Sequence, residues 1–525
     1  MTSSAVSRNS PNTTPLDISQ PLRRQFGIWD ACALGVITGS AWPLFGGIIV
    51  TSLYNGGPPG VLYELIVIWL IYVAISACIA ELVSAMPTSA GVYYWATITG
   101  GPRWGKVVGF YAGWYNCFAY IFATIATSSI SAVQIIEMYS LFHPNYAYKG
   151  WHVLIAYFAC SWIACACVLF GNQRLARIND VGLVLVVAGV IITVAVCAIM
   201  PATLKQEYNS NRSVWADWQN GTGYSSNGFV FLMGMLNGAF AFGVPDCISH
   251  IAEEVINPSS VIPKAIFAQV VIGFISTLVY LITIFYAATD LSAVINGTSL
   301  FPISVLYQQA TGSVAGAFGL LLVVFLPSFW AVIGAYVTAG RMLWTLGRGN
   351  ASPFADFIGR ISSTYQNPLN ATICVAVLNT LMGLIYLGST TALNAFATSF
   401  VCLNLLSFLA AILPHLTSGR SRVPRGVFWM KGWWGNVVHA FACIYIVVFL
   451  VIFCFPYSQP ITPSSMNYSS VVLVGLTIII TICWVWKQRQ GYTGGTAEVV
   501  EASMDPTRED HSPIEILEDK HKAAA

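Results

Sequence analysis

An aspartate stands at the end of an apolar stretch, Gly238-Ala239-Phe240-Ala241-Phe242-Gly243-Val244-Pro245-Asp246. In so apolar a setting a carboxylate is expensive, and it is a functional candidate by default. The chemistry it offers is capture of a cation, with help from main-chain groups that the neighbouring Gly and Pro free from the helix. The plainer alternative is a cap, the acid accepting backbone N–H groups where a helix restarts. The two roles are compatible. A similar break lies upstream at Thr38-Gly39-Ser40-Ala41-Trp42-Pro43, followed by Gly46-Gly47. Catalytic chemistry has no such focus. His143, His152, His250, His415, His439, His511 and His521 are scattered, and Cys165-x-Cys167 is too close for a metal finger and has no histidine nearby. No metal, no cofactor and no enzymatic reaction are therefore expected.

The elements that position these residues follow from composition. Of 525 residues, 56% are hydrophobic and 8% charged, where a soluble domain carries roughly 25% charge. Apolar runs long enough to cross a bilayer, about 20 residues each, lie near 28–53, 61–85, 106–136, 151–170, 179–201, 227–249, 264–288, 313–340, 370–388, 391–414, 436–457 and 468–486. The expected fold is an all-α membrane protein of 12 transmembrane helices, here called spans 1 to 12. Residues 1–26 and 488–525 read as disordered cytosolic tails around a transmembrane unit at 27–487. The polar Met1–Gln25 segment does not resemble a cleaved signal peptide. With the N-terminus inside, 20 of the 23 Lys and Arg residues fall on the inner side; only Lys149, Lys205 and Arg212 fall outside. The positive-inside rule thus orients the chain with both ends cytosolic. Sequons at Asn211, Asn220, Asn296 and Asn467 fall in the outer loops and are the expected glycosylation sites. No basic patch suggests nucleic acid; the partners are lipid and a small solute. The oligomeric state is open.

The two breaks fall in spans 1 and 6, five apart, as an inverted five-plus-five repeat would place them, with spans 11 and 12 outside it. The competing reading is that Gly and Pro merely allow close packing. Two breaks at corresponding positions, one with a buried acid, favour a central site. The site expected is Thr38, Gly39, Ser40, Trp42, Phe240, Phe242, Gly243 and Asp246, with Asn116 of span 3 as ligand contact or interhelical hydrogen bond. Half-helix N-termini would hold a carboxylate; Asp246, freed carbonyls and aromatic faces would hold an ammonium. Trp42, Tyr120 and Trp330 could add cation–π contacts of about 1 kcal/mol. In a chain with 13% aromatic residues, packing is the rival role for each.

The residues after the second break form a longer signature, Asp246-x3-His250-x2-Glu253-Glu254-x2-Asn257-Pro258-x4-Pro263-x-Ala265-Ile266. Upstream stand Ala80-Glu81-Leu82, Met86-Pro87, Gly91-x-Tyr93-x-Trp95 and Gly101-Pro102-Arg103-Trp104-Gly105, and span 8 ends in Arg341-Met342-Leu343-Trp344. Over residues 22–490 this pattern resembles the amino acid–polyamine–organocation superfamily. Ser40-x-Trp42 and Gly56-Gly57-Pro58 are similar to its fungal amino acid/choline permease branch, which includes choline and γ-aminobutyrate permeases. The resemblance implies a secondary transporter of a small amine or amino-acid-like solute, working by alternating access as a proton-driven or facilitated uptake carrier in the plasma membrane. It also implies an aromatic gate at Phe240. An exporter of a specialised amine metabolite and a nutrient sensor that does not transport are the alternatives. The sequence departs from its relatives at Val244-Pro245, Gly39 and Ala41, so the solute is not inherited.

Glu81, His250, Glu253 and Glu254 fall near the inner ends of spans 2 and 6, with Arg341 or Arg103 as counter-ions. They read equally as a gate or as a network that fixes a loop. His250 could respond to protons near neutral pH. Span 5 lacks the lysine used by some proton-coupled relatives, so the coupling residue is not identified.

Overall fold

The computed structural model describes residues 24–297, 299–385, 391–463 and 465–494. Most of both tails lies outside these residues. Ten helical stretches among them are long and apolar enough to cross a membrane. One, Gly150–Thr203, contains two helices, Gly150–Gly171 and Leu175–Thr203; the 17-residue apolar helix Leu369–Ile385 adds a shorter span. Counted so, the spans number twelve, and the fold is the all-helical membrane bundle expected.

Span 1 is broken, as the Gly/Pro pattern implies. Its first half, Ile28–Thr38, ends where the Ser40 hydroxyl turns back to donate to the Ile37 carbonyl at 2.7 Å. The second half, Ala41–Tyr54, has Pro43 in its first turn, where a missing N–H is harmless. Span 6 runs as Asn227–Phe242, opens over Gly243–Asp246 and continues as a 3-10 helix, Cys247–Glu254. This second half is therefore a 3-10 rather than an α-helix, and it runs past the expected end of the span at 249 to Glu254. Span 3, Gly101–Phe142, is longer than its 106–136 apolar core.

Burial separates centre from rim. The most apolar window of span 3 is 89% buried, against 22% for the Gly150–Thr203 stretch and 17% for span 12, Ser469–Arg489. Span 3 is the central post, and spans 4, 5 and 12 present apolar side chains to lipid.

Two ends of the bundle can be told apart. At the basic end, Phe26 pairs with Val255, and the N–H groups of Gln25 and Phe26 both donate to the Glu254 carbonyl. A short helix at this end, Val92–Thr99, folds back against span 3. It starts at Gly91, whose φ of +49° and contact with His250 leave no place for a side chain. At the far end, Asn55–Gly56 and Gln219–Asn220 form a two-residue antiparallel pair, and short helices Leu291–Asn296 and Ile303–Thr311 cover the link between spans 7 and 8.

Candidate solute-binding site

Asp246 sits in the gap of span 6 and is fully buried. It does not cap the following 3-10 helix with its side chain. Its carboxylate turns to span 3 instead, accepting from the Tyr120 hydroxyl at 2.6 Å and the Asn116 amide at 2.8 Å. His250 Nε2 lies 3.3 Å away and its Nδ1 is 3.1 Å from the Ser89 carbonyl. The Asn116 amide also donates to Asn404 of span 10, and Asn404 in turn donates to the Gly243 carbonyl at 2.5 Å. Gln269 of span 7 donates to the Val244 carbonyl. The Gly243 and Val244 carbonyls in the break of span 6 are thus taken by Asn404 and Gln269 rather than left open to a ligand.

Of the expected site residues, Asn116, Gly243 and Asp246 come together, joined by Tyr120, His250 and Asn404. Trp42 docks elsewhere: its indole N–H donates to the Val186 carbonyl and its ring lies 5.3 Å from Tyr280. Trp330 similarly donates to the Ile178 carbonyl. Gly182 and Gly189 on span 5 make room for Trp330 and Trp42 respectively. Packing is the role of both indoles in this conformation. Ser40 is spent on the main chain of span 1, and Gly39 packs on Gln269. The second half of span 1 has no side-chain cap. Since Pro43 has no N–H, the donors at its N-terminus are those of Ala41 and Trp42.

A vestibule of about 440 Å³ opens at the far end, lined by Thr51, Asn55, Met233, Asn237, Phe453 and Tyr457 among others. That volume is in the range of small-ligand clefts, roughly 300–1,000 Å³. Phe240 follows Asn237 by one helical turn, is 7% exposed, and meets Phe400 edge-to-face at 5.9 Å. Phe242 lies 6.4 Å from Tyr72. The Phe240–Phe400 pair falls between the vestibule and Asp246 along span 6.

The basic end is closed by ion pairs. Arg341 Nε donates to Glu254 at 2.6 Å, both side chains 1% exposed, and Nη2 reaches Asn172. Arg348 pairs with Glu253 through two hydrogen bonds. Glu81 pairs not with Arg103, which lies over the Trp104 ring, but with Arg420, through bonds of 2.9 and 2.7 Å. His415 and His439 face the same Glu81 oxygen at 3.2 and 3.8 Å. These three could approach a metal ion. However, the guanidinium already holds both oxygens, so a divalent cation would sit beside a fixed positive charge.

Sequence reasoning missed Tyr120 as the second partner of Asp246, and missed Asn404, Phe400, Arg348 and Arg420. A tyrosine or asparagine one turn from another polar residue on an apolar helix carries no signal of the span it will face. Among the sequons, Asn211 and Asn220 are exposed. Asn467 is buried, and its amide donates to the Phe453 and Phe455 carbonyls. The third residue of the sequon at Asn296, position 298, lies outside the described residues.

A broken, twelve-span bundle with a buried carboxylate at the break defines the class of secondary transporters. The amino acid permease family matches residues 26–478 of the chain, and the chain belongs to that family. It is similar to the choline transporter of Saccharomyces cerevisiae, 29% identical over 95% of this chain and 87% of that protein. It is also similar to the amino-acid permease BAT1 of Arabidopsis thaliana, 24% identical over 92% of this chain and 96% of that protein. A third relative is the 7-keto 8-aminopelargonic acid transporter of Saccharomyces cerevisiae, 23% identical over 87% and 91%. The chain is a multi-pass membrane permease.

Proposed function

We propose that this permease carries a small amine or amino-acid-like solute into the cell, driven by protons, with the basic end of the bundle in the cytosol and the plasma membrane as its site. The observation that carries this reading is Asp246, wholly buried in the gap of a broken span and held by donors from span 3. A cation in this gap would meet the Asp246 carboxylate in a region of low dielectric. Where the solute also bears a carboxylate, the open N–H groups of Ala41 and Trp42 at a helix N-terminus supply the complementary partial positive charge. The names of the relatives, choline, amino acids and 7-keto 8-aminopelargonic acid, agree with a nitrogen-bearing solute.

Alternating access then has two barriers. The Phe240–Phe400 pair closes the far end, and the Glu254–Arg341 and Glu253–Arg348 pairs close the basic end. His250 ties Asp246 to the Ser89 segment beside the basic-end helix.

The test is uptake in a host lacking its own choline and γ-aminobutyrate permeases, competed with choline, γ-aminobutyrate, basic amino acids and polyamines. At least one class should compete. An Asp246→Asn variant reaching the surface normally should lose about ten- to hundredfold in kcat/KM, the range of a charge-assisted interaction of about 1.5–3 kcal/mol. Unchanged solute affinity in both Asp246→Asn and Phe240→Ala would sink this site.

A further inference from the structure

Most buried acids in the bundle have partners. Glu81 has Arg420, Glu254 has Arg341, and Asp246 has Tyr120 and Asn116. Glu137, near the far end of span 3, accepts from Ser299, Ser304 and the Leu300 N–H. Glu64 differs. It lies in span 2, Gly57–Ala85, is 2% exposed, and its Oε1 is the one buried carboxyl oxygen without a hydrogen-bond partner among the described residues.

The groups around Glu64 offer no compensating charge. Its carboxyl lies against Gly234, in the first half of span 6, at a spot where a Cβ would clash with it. That half-span, Asn227–Phe242, contains no titratable residue. Of the other elements packed on span 2, span 7 carries Lys264, toward its basic-end start, with Tyr280 bonded to Tyr307 and Tyr286 to Asn211. Span 11 carries His439, Cys443 and Tyr445 and span 10 carries Cys402 and His415, with both histidines facing Glu81. The helix Asn211–Trp215 carries Arg212, which is exposed and bound to Asp217. The second half of span 1 carries Tyr54. Where no donor or cation reaches Oε1, burying the ionised carboxylate costs far more than burying the neutral acid. The vestibule is near: Asn237, one turn along span 6 from Gly234, lines it, and its own Nδ2 has no partner among the described residues.

We propose that Glu64 is the proton acceptor that couples closure of the far-end gate to proton uptake. With span 6 drawn back from span 2, vestibule water solvates Glu64 as the carboxylate. Packing of Gly234 onto it, the arrangement seen here, goes with transfer of a proton from hydronium in the vestibule to a carboxylate oxygen, so the neutral acid is what is buried, and the proton returns to water when the carboxyl is next hydrated. One O–H bond of the hydronium ion breaks as the carboxyl O–H forms, and no electron is transferred. This rests on the proton-driven reading above.

The test uses the full chain in proteoliposomes, with choline or whichever competitor proves to be carried, and reads solute counterflow, concentrative accumulation and solute-evoked pH change. Glu64→Gln copies the shape and neutrality of the protonated acid. It should keep counterflow while losing accumulation and proton movement at least tenfold, and its uptake should no longer rise as the outer pH falls. Glu64→Asp should keep proton movement with a shifted pH profile. Absence of proton movement in the unaltered protein overturns the proton-driven reading itself. Proton movement that persists in Glu64→Gln, or that is lost in His250→Gln instead, overturns this inference alone. So does loss of counterflow in a Glu64→Gln protein present at normal abundance.

Discussion

Tyr120 and Asn116 lie four residues apart on span 3 and so share a face one turn apart. That spacing lets them take one oxygen each of Asp246. The hydroxyl bond, at 2.6 Å, is of the short charge-assisted kind. Tyr120→Phe keeps the ring and removes the donor. It should weaken apparent solute affinity by about tenfold, for an interaction of about 1.5–3 kcal/mol shared with a bound cation, with protein abundance unchanged. KM for uptake against the unaltered protein checks this; an unchanged KM would show that the hydroxyl only packs.

At the scale of elements, the Glu81 cluster holds span 2 to spans 10 and 11 and to the loop between them. Arg420 binds both oxygens of Glu81 and also the Met430 carbonyl, and it stacks over Trp429 at 4.5 Å. Taking away one partner of a buried pair leaves an uncompensated charge, at a cost of about 3–5 kcal/mol. Arg420→Met should therefore lower the melting temperature in detergent markedly, and the double variant with Glu81→Gln should recover most of the loss. The gate pairs are a different case. Breaking Glu254–Arg341 with Arg341→Ala should admit water to the basic side of the site. The thiol of Cys247, fully buried in the 3-10 helix, should then react faster with a small thiol reagent, read in a background where the other cysteines are replaced. Equal reactivity would mean that the pair fixes a loop and does not gate.

For the whole molecule, the charge map and the sequons make one claim about orientation, and glycan shifts can test it. Asn211→Gln and Asn220→Gln should each raise electrophoretic mobility in a eukaryotic host, because both side chains are exposed at the far end. Asn467→Gln should not, because its amide is buried under the Phe453 and Phe455 carbonyls. A glycosidase-treated control separates glycan loss from other changes. No shift in either Asn211→Gln or Asn220→Gln would remove the support that sequons give to an outer far end.

Local chemistry was enough for much of this. Apolar runs of bilayer length define spans, Gly and Pro interrupt them, and an acid among apolar residues marks itself, because each of these properties belongs to a few neighbouring residues. Spans 1 and 6 and Asp246 were legible for that reason. Tertiary structure decided what each side chain faces. Asp246 meets a tyrosine 126 residues away, Glu81 meets an arginine 339 residues away, and Trp42 turns to a carbonyl of span 5. Glu64 shows the limit most plainly. In the sequence it is one acid in an apolar run, and only the packing of span 6 at Gly234 reveals that its Oε1 is buried without a partner among the described residues.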